Sequence, residues 1–246
     1  MSDNREAIGI ITQARMTSTR LPGKVFKEIL GKPLLGYHLD RLRKTGFRVI
    51  IATTTNTTDD CICEYAEKNS IPYFRGSESN VLSRYYDAAS KFHVNPVVRV
   101  TSDCPLIDPQ LIMSSLKQYM QMNDPDLYIS NGIERTFARG FDFEIFSFKA
   151  LEEAYNNARE ESDLEHVTPF IWKNKSGKTK FFHIRQIEDH SQLRITVDTP
   201  EDFTLIRHLI ENYHAANLSF AEIESILLAH PELVKINASI EQKKVN

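Results

Sequence analysis

Three cations, Arg15, Arg20 and Lys24, fall within the stretch TQARMTSTRLPGK, residues 12–24. They sit among small, hydroxyl-bearing or turn-forming residues: Ala14, Thr17, Ser18, Thr19, Pro22 and Gly23. An apolar run precedes them, and a helix-like segment opens after them at Pro33. A loop after a strand that offers cations, hydroxyls and free backbone N–H groups suits a polyphosphate. It is not a P-loop, because Val25 follows Gly23-Lys24 and Ser18 stands where that motif needs its first glycine. It is not GxGxxG either, since Gly9 stands alone. A solvated basic loop is the plain alternative.

Two aspartates occupy matching places. Asp103 follows the run Val97–Thr101, with Pro105 two residues later; Asp198 follows Leu193–Val197, with Pro200 two residues later. Each proline biases its predecessor, Cys104 or Thr199, toward extended geometry and helps end the run. If both runs are parallel strands of one sheet, both carboxylates lie at its carboxyl edge, where open α/β sheets bind ligands. The cation loop leaves its strand at that same edge. Magnesium takes a few carboxylates and completes its shell with phosphate oxygens and water. Singly, each aspartate reads as a cap or turn residue; as a pair beside the loop, they favour a metal site. Asp202 has a capping-box position, Thr199-x-x-Asp202, which explains it, with a supporting role behind the site left open.

Further along, Arg139-Gly140-Phe141-Asp142-Phe143-Glu144 puts Asp142 and Glu144 on one strand face. There they would bind hydroxyls of a polar acceptor. A half-buried strand with Phe141, Phe143 and Ile145 opposite explains the same alternation. Arg99 lies inside an apolar strand and needs either a carboxylate partner or a solvent-facing edge. Glu165-His166, with Thr168 and Pro169 nearby, is another polar cluster. No serine or cysteine nucleophile pattern accompanies the histidine, which favours a structural role.

The elements that must position these residues alternate regularly in the first half. Strands are expected at Ile8–Thr12, Arg48–Thr53, Pro72–Phe74 and Pro96–Thr101. Helices run from Pro33 to a stop at Gly46, from a cap at Asp59-Asp60 to Asn69, from Asn80 to Phe92, and from Asp108-Pro109 to Met122. This rhythm with continuous apolar strands implies a parallel sheet covered on both faces. The second half is less regular. Strands are expected at Leu127–Ser130, Phe141–Phe146, Lys180–Arg185 and Leu193–Val197. Helices are expected at Phe148–Arg159, Asp163–Lys173, Thr199–Tyr213 and Ser219–Leu228, and the tail from Ile240 is expected to fray. The division is one domain, 1–246, with an inserted sub-structure at about 130–190.

Composition narrows the classes. Hydrophobic residues make up 41% and charged residues 26%, ordinary globular usage that excludes disordered and membrane classes. The net charge of −3 argues against a general nucleic-acid binder, so any anion site is local. Cys61, Cys63 and Cys104 are odd in number and irregularly spaced, which fits structural thiols in a reducing compartment. The first residues lack a signal-peptide pattern, so a cytoplasmic protein is expected.

The motifs TQARMTSTRLPGK, VRVTSDCPLIDP, RGFDFEIF, EHVTPF and LRITVDTPEDF, in this order, resemble the cytidylyltransferase-like family of spore-coat polysaccharide biosynthesis protein F, related to the CMP-sialic acid and CMP-Kdo synthetases. The resemblance spans about residues 8–212. It implies a nucleotide-diphospho-sugar transferase fold, a Rossmann-like α/β/α sandwich, and transfer of CMP from CTP to a sugar acid or related hydroxyl with release of pyrophosphate. It also implies that Arg15, Arg20 and Lys24 hold the triphosphate, with Ala14, Ser18 and Thr19, and that Asp103 and Asp198 hold Mg2+. Ala52, Thr53, Gly76, Ser77, Glu78, Arg84 and Thr101 are implied near the nucleotide. Arg139, Asp142, Glu144, Glu165 and His166 are implied near the acceptor, and a homodimer is the expected assembly. The chain departs from the family pattern at Ser102, where glycine is usual, and at Ser79-Asn80, where acids are usual. The combined reading is a magnesium-dependent cytidylyltransferase of surface polysaccharide or glycan biosynthesis. A glycosyltransferase with a nucleotide-sugar donor and a non-catalytic nucleotide-binding partner subunit remain as alternatives.

Overall fold

A seven-stranded sheet carries the site. In the computed structural model, which describes residues 7–242, its strands are β1 (Gly9–Gln13), β4 (Arg48–Thr54), β5 (Tyr73–Gly76), β6 (Val97–Thr101), β7 (Leu127–Ser130), β8 (Glu144–Phe146) and β9 (Lys180–His183). Two short strands, β2 (Glu28–Ile29) and β3 (Lys32–Pro33), form a separate hairpin. The sheet order is β5-β4-β1-β6-β8-β7-β9, and β8 alone runs antiparallel to its neighbours.

The β-branched runs GIITQ, RVIIATT and VVRVT form the centre because both faces are covered. Alternate residues of these strands enter two separate cores. Ile10, Val49, Ile51, Val98 and Val100 pack with the helices Leu34–Arg43, Asp60–Lys68, Pro109–Met122 and Pro200–Tyr213. Ile11, Ile50, Ala52 and Val97 pack with the helices Val81–Lys91 and Phe148–Asn157 on the other face. The result is the α/β/α sandwich expected from the sequence. Caps form where the residue types call for them: Asp108 accepts from Gln110 and Leu111 N–H, and full capping boxes close at Thr199/Asp202 and Ser219/Glu222.

Several expectations need correction. Leu193–Val197 is not a sheet strand. Both edges of β6 are already taken by β1 and β8, so this segment pairs with loops instead. Ile195 N–H donates to Arg139 C=O (2.7 Å), and Val197 N–H donates to Asp103 C=O (2.8 Å). The expected strand Phe141–Phe146 shortens to Glu144–Phe146, because the Asn131 amide takes over the backbone of Phe141 and Phe143 (2.8 and 3.0 Å). The expected helix Asp163–Lys173 breaks into Glu161–His166 and Pro169–Trp172 at Val167, whose φ is 72°. Asp59 does not cap its helix with its side chain. Of the tail expected to fray from Ile240, Glu241 and Gln242 are exposed, with Arg194 donating to the Gln242 amide oxygen; residues 243–246 lie outside the described residues.

Candidate active site

The antiparallel β8 decides the layout. Because it runs against β6, its first residue, Glu144, lies at the carboxyl edge of the sheet, opposite Arg99 in β6 and Ser130 in β7. Arg99 thereby gains the carboxylate partner it needs: its Nη1 lies 2.7 Å from Glu144. Thr168 donates to the other Glu144 oxygen at 3.0 Å.

Asp103 and Asp198 do converge, although Asp198 arrives on an irregular segment. The Lys24 ammonium sits between them, 3.1 Å from Asp103, 2.9 Å from Asp198 and 2.8 Å from the Val197 carbonyl. Burial alone would lower the Lys24 pKa, but the two carboxylates outweigh it and hold the ammonium charged. Burial likewise pushes the Asp103 carboxyl up, yet Lys24 and hydrogen bonds from Thr101, Lys24 and Cys104 bring it below the usual carboxylate range. Asp198 also receives Arg20 and Arg194, each at 2.9 Å. Arg194 is clamped on Asp202 at 2.8 and 3.0 Å. Asp202 therefore closes its capping box and supports the site together.

The rest of the loop is stitched to neighbouring strands. Ala14 N–H donates to Ala52 C=O, and Met16 N–H donates to the Asp59 carboxylate (2.8 Å), which also accepts from Thr53 and Thr54. Glu78 accepts from Thr17 and Asn56, with Arg15 at 3.4 Å. Arg15 and Thr19 are exposed and Ser18 is half-buried, so they face the open side. Ala52 and Thr53 are fully buried, beneath the loop and not at its surface. Arg84 is buried too; it donates to Ser77 C=O (2.9 Å) and packs under Gly76, leaving its Nε without a partner among the described residues.

On the other side of the aspartate pair opens a cavity of about 480 Å³. Asp103 and Asp198 form one wall, and Arg99, Thr101, Arg139, Asp142 and Glu144 form much of the rest. Asp142 pairs with Arg135 and accepts from Gly140 N–H (2.8 Å). The Arg139 guanidinium has no ion pair or hydrogen bond among the described residues. Its pKa is lowered by burial and by the charges of Arg135 and Arg194, with Asp142 offsetting only part of this. A cation so placed favours an incoming anion. Glu165 is exposed and His166 half-buried; neither lines the cavity, and Thr168 is the residue of that motif that reaches Glu144.

Two nucleophile classes are disfavoured. Burial and Asp103 push the Cys104 thiol well up, away from thiolate. His38 is fully buried between Thr12 and the Cys104 carbonyl and has its pKa lowered to about 4 by burial, so it is neutral near pH 7. Sequence patterns missed Asp59, Arg135 and Arg194. Only Arg194 carried a signal, its alternation with Leu193 and Ile195 at four residues before Asp198.

A model of the cytidylyltransferase family matches residues 8–244. An uncharacterised protein of Methanocaldococcus jannaschii is 35% identical over 240 residues, 96% of this chain and 96% of that one. Spore coat polysaccharide biosynthesis protein SpsF of Bacillus subtilis is 30% identical over 234 residues, 90% of this chain and 94% of that one. A solved cytidylyltransferase from Leptospira borgpetersenii serovar Hardjo-bovis has a TM-score of 0.87 at 33% identity, covering 98% of this chain and 99% of that one. Because the family match begins at the first sheet strand and runs past the last helix, this chain belongs to the cytidylyltransferase family and is a nucleotidyltransferase.

Proposed function

We propose that the enzyme transfers CMP from CTP to a hydroxyl of a sugar acid, with Mg2+, in surface polysaccharide or glycan biosynthesis. The observation that carries this is the convergence of Asp103, Asp198 and the Val197 carbonyl on one cation, between a cationic loop and a cavity with an unpaired guanidinium. Among the described residues there is no group of three or more His, Cys, Asp or Glu side chains placed to hold a metal ion by themselves. The donor set is nonetheless two carboxylates and a carbonyl, all hard oxygens, and it already surrounds a positive charge. That chemistry fits Mg2+, whose remaining positions go to phosphate oxygens and water. When bound, the ion would offset charge developing on the pyrophosphate leaving group.

The chain's own residues do the positioning. Arg15, Arg20, Lys24 and the loop N–H groups hold the triphosphate. Arg139 holds the acceptor carboxylate, and Asp142 and Glu144, themselves oriented by Arg135 and Arg99, accept bonds from its hydroxyls. The acceptor oxygen attacks the α-phosphorus in line, the bond to the β-phosphate oxygen breaks, and pyrophosphate leaves while the hydroxyl proton passes to solvent. Catalysis is mainly orientation and electrostatic stabilisation. A homodimer working in the cytoplasm completes the proposal. The test is pyrophosphate release from each of four nucleoside triphosphates with a panel of sugar acids, in magnesium or EDTA. CTP-selective, EDTA-sensitive release with a sugar acid is expected; absence of metal-dependent release across the panel would sink the reading.

A further inference from the structure

The Lys24 ammonium sits among the oxygens that a divalent cation would use. Asp103 Oδ2 is 3.1 Å away, Asp198 Oδ1 2.9 Å and the Val197 carbonyl 2.8 Å. The side chain is only 12% exposed. Asp198's second oxygen serves Arg20 and Arg194, and Arg194 is tied to Asp202. Three cations (Lys24, Arg20, Arg194) thus face three carboxylates (Asp103, Asp198, Asp202), and the cluster is neutral. Adding a doubly charged ion here would place it against an ammonium at contact distance, in surroundings where charge is poorly screened.

The two sources of positive charge differ in how they are held. Arg194 grips Asp202 with two hydrogen bonds behind the site. Lys24 and Arg20 belong to the loop assigned above to the triphosphate, and Arg20 keeps about a third of its side chain exposed. A triphosphate carries several negative charges against the single charge of a carboxylate and competes directly for both. We infer that Lys24 is a resident surrogate cation, so that the carboxylate pair opens to a divalent ion only when a triphosphate draws the ammonium away. Metal then binds with nucleotide and not before it. Lys24 has two successive roles: it neutralises Asp103 and Asp198 at rest and neutralises phosphate during the reaction. This rests on the metal reading above.

The test uses MnCl2 as the probe on the full chain without nucleotide. Free ion is followed by electron paramagnetic resonance, and thermal melting gives an independent readout, because an ion that binds only the folded state raises Tm. Wild type is expected to bind Mn2+ weakly and to show no rise in Tm. Lys24→Met is expected to bind it at least about tenfold more tightly and to gain Tm on adding MnCl2. Lys24→Met with Asp103→Asn is expected to lose both effects. Lys24→Gln replaces Lys24→Met should that variant not fold. Nucleotide-free wild type binding Mn2+ as tightly as the Lys24 variant overturns the inference, and so does a failure of both Lys24 variants to bind. Pyrophosphate release by wild type is measured separately. EDTA-sensitive release alongside tight nucleotide-free binding removes only the surrogate role, whereas release unaffected by EDTA removes the metal reading itself.

Discussion

In the proposed reaction, Asp103 is the residue on which the chemistry turns. Its backbone accepts from Val197 N–H and Thr196 Oγ1, so the carboxylate is fixed at the meeting point of the two halves of the site. Asp103→Asn keeps the shape and removes the charge. Activity is expected to fall at least about 10²-fold, with the melting transition still cooperative; unchanged turnover would remove Asp103 from the site. His38 has a different signature. Its pKa of about 4 lies below the ordinary 6.5, so the unfolded chain binds the proton more readily than the folded one. Its contribution to stability is therefore complete above pH 6.5 and lost as pH falls toward 4. The shift corresponds to about 3 kcal/mol. Urea midpoints measured between pH 7 and 4 should drop, and His38→Gln should flatten that slope.

At the scale of elements, the close approach of two irregular segments replaces a strand pairing. Gly140 has φ of 118°, and a Cβ there would lie 2.8 Å from the backbone of Ile195 and Thr196. That backbone leads directly to Asp198. Gly140→Ala is expected to cost about 1–3 kcal/mol and to lower kcat by shifting Asp198, as read from urea denaturation and pyrophosphate release on the same sample. A stability loss with unchanged kcat would mean that the segment relaxes without moving the aspartate. β8 shows the same dependence on neighbours. Only its reversed direction puts Glu144 opposite Arg99 at the carboxyl edge, where a cross-strand pair forms.

The molecule as a whole closes the site from behind with its last described segment. Asn237 is buried and donates to the Arg194 carbonyl (3.1 Å) and to Asp202 (2.8 Å), while Gln242 accepts from Arg194 and lines the cavity. Arg194 thus depends on residues more than forty positions away for its orientation. A chain ending at Ile236 should lose about 1–3 kcal/mol and show a raised KM for the acceptor, measured by thermal melting and initial rates. Full retention of both would show that Asp202 alone holds Arg194. Among the described residues no helix is long and apolar enough to cross a membrane.

Local patterns in the chain settled the central strands, the helices capped at Asp108, Thr199 and Ser219, and the cation loop, because periodicity and cap chemistry act between near neighbours. The same patterns brought Asp103 and Asp198 together for a partly mistaken reason, since Leu193–Val197 is extended yet lies outside the sheet. Tertiary structure alone decided that Lys24 bridges the two aspartates, that Arg99 and Arg135 pair with Glu144 and Asp142, and that Arg139 stays unpaired at the cavity wall. Each of these outcomes depends on which charges the folded chain leaves within about 4 Å of one another. Distances between residues such as Lys24 and Asp198, 174 positions apart, follow from sheet order and packing and have no counterpart in local residue spacing.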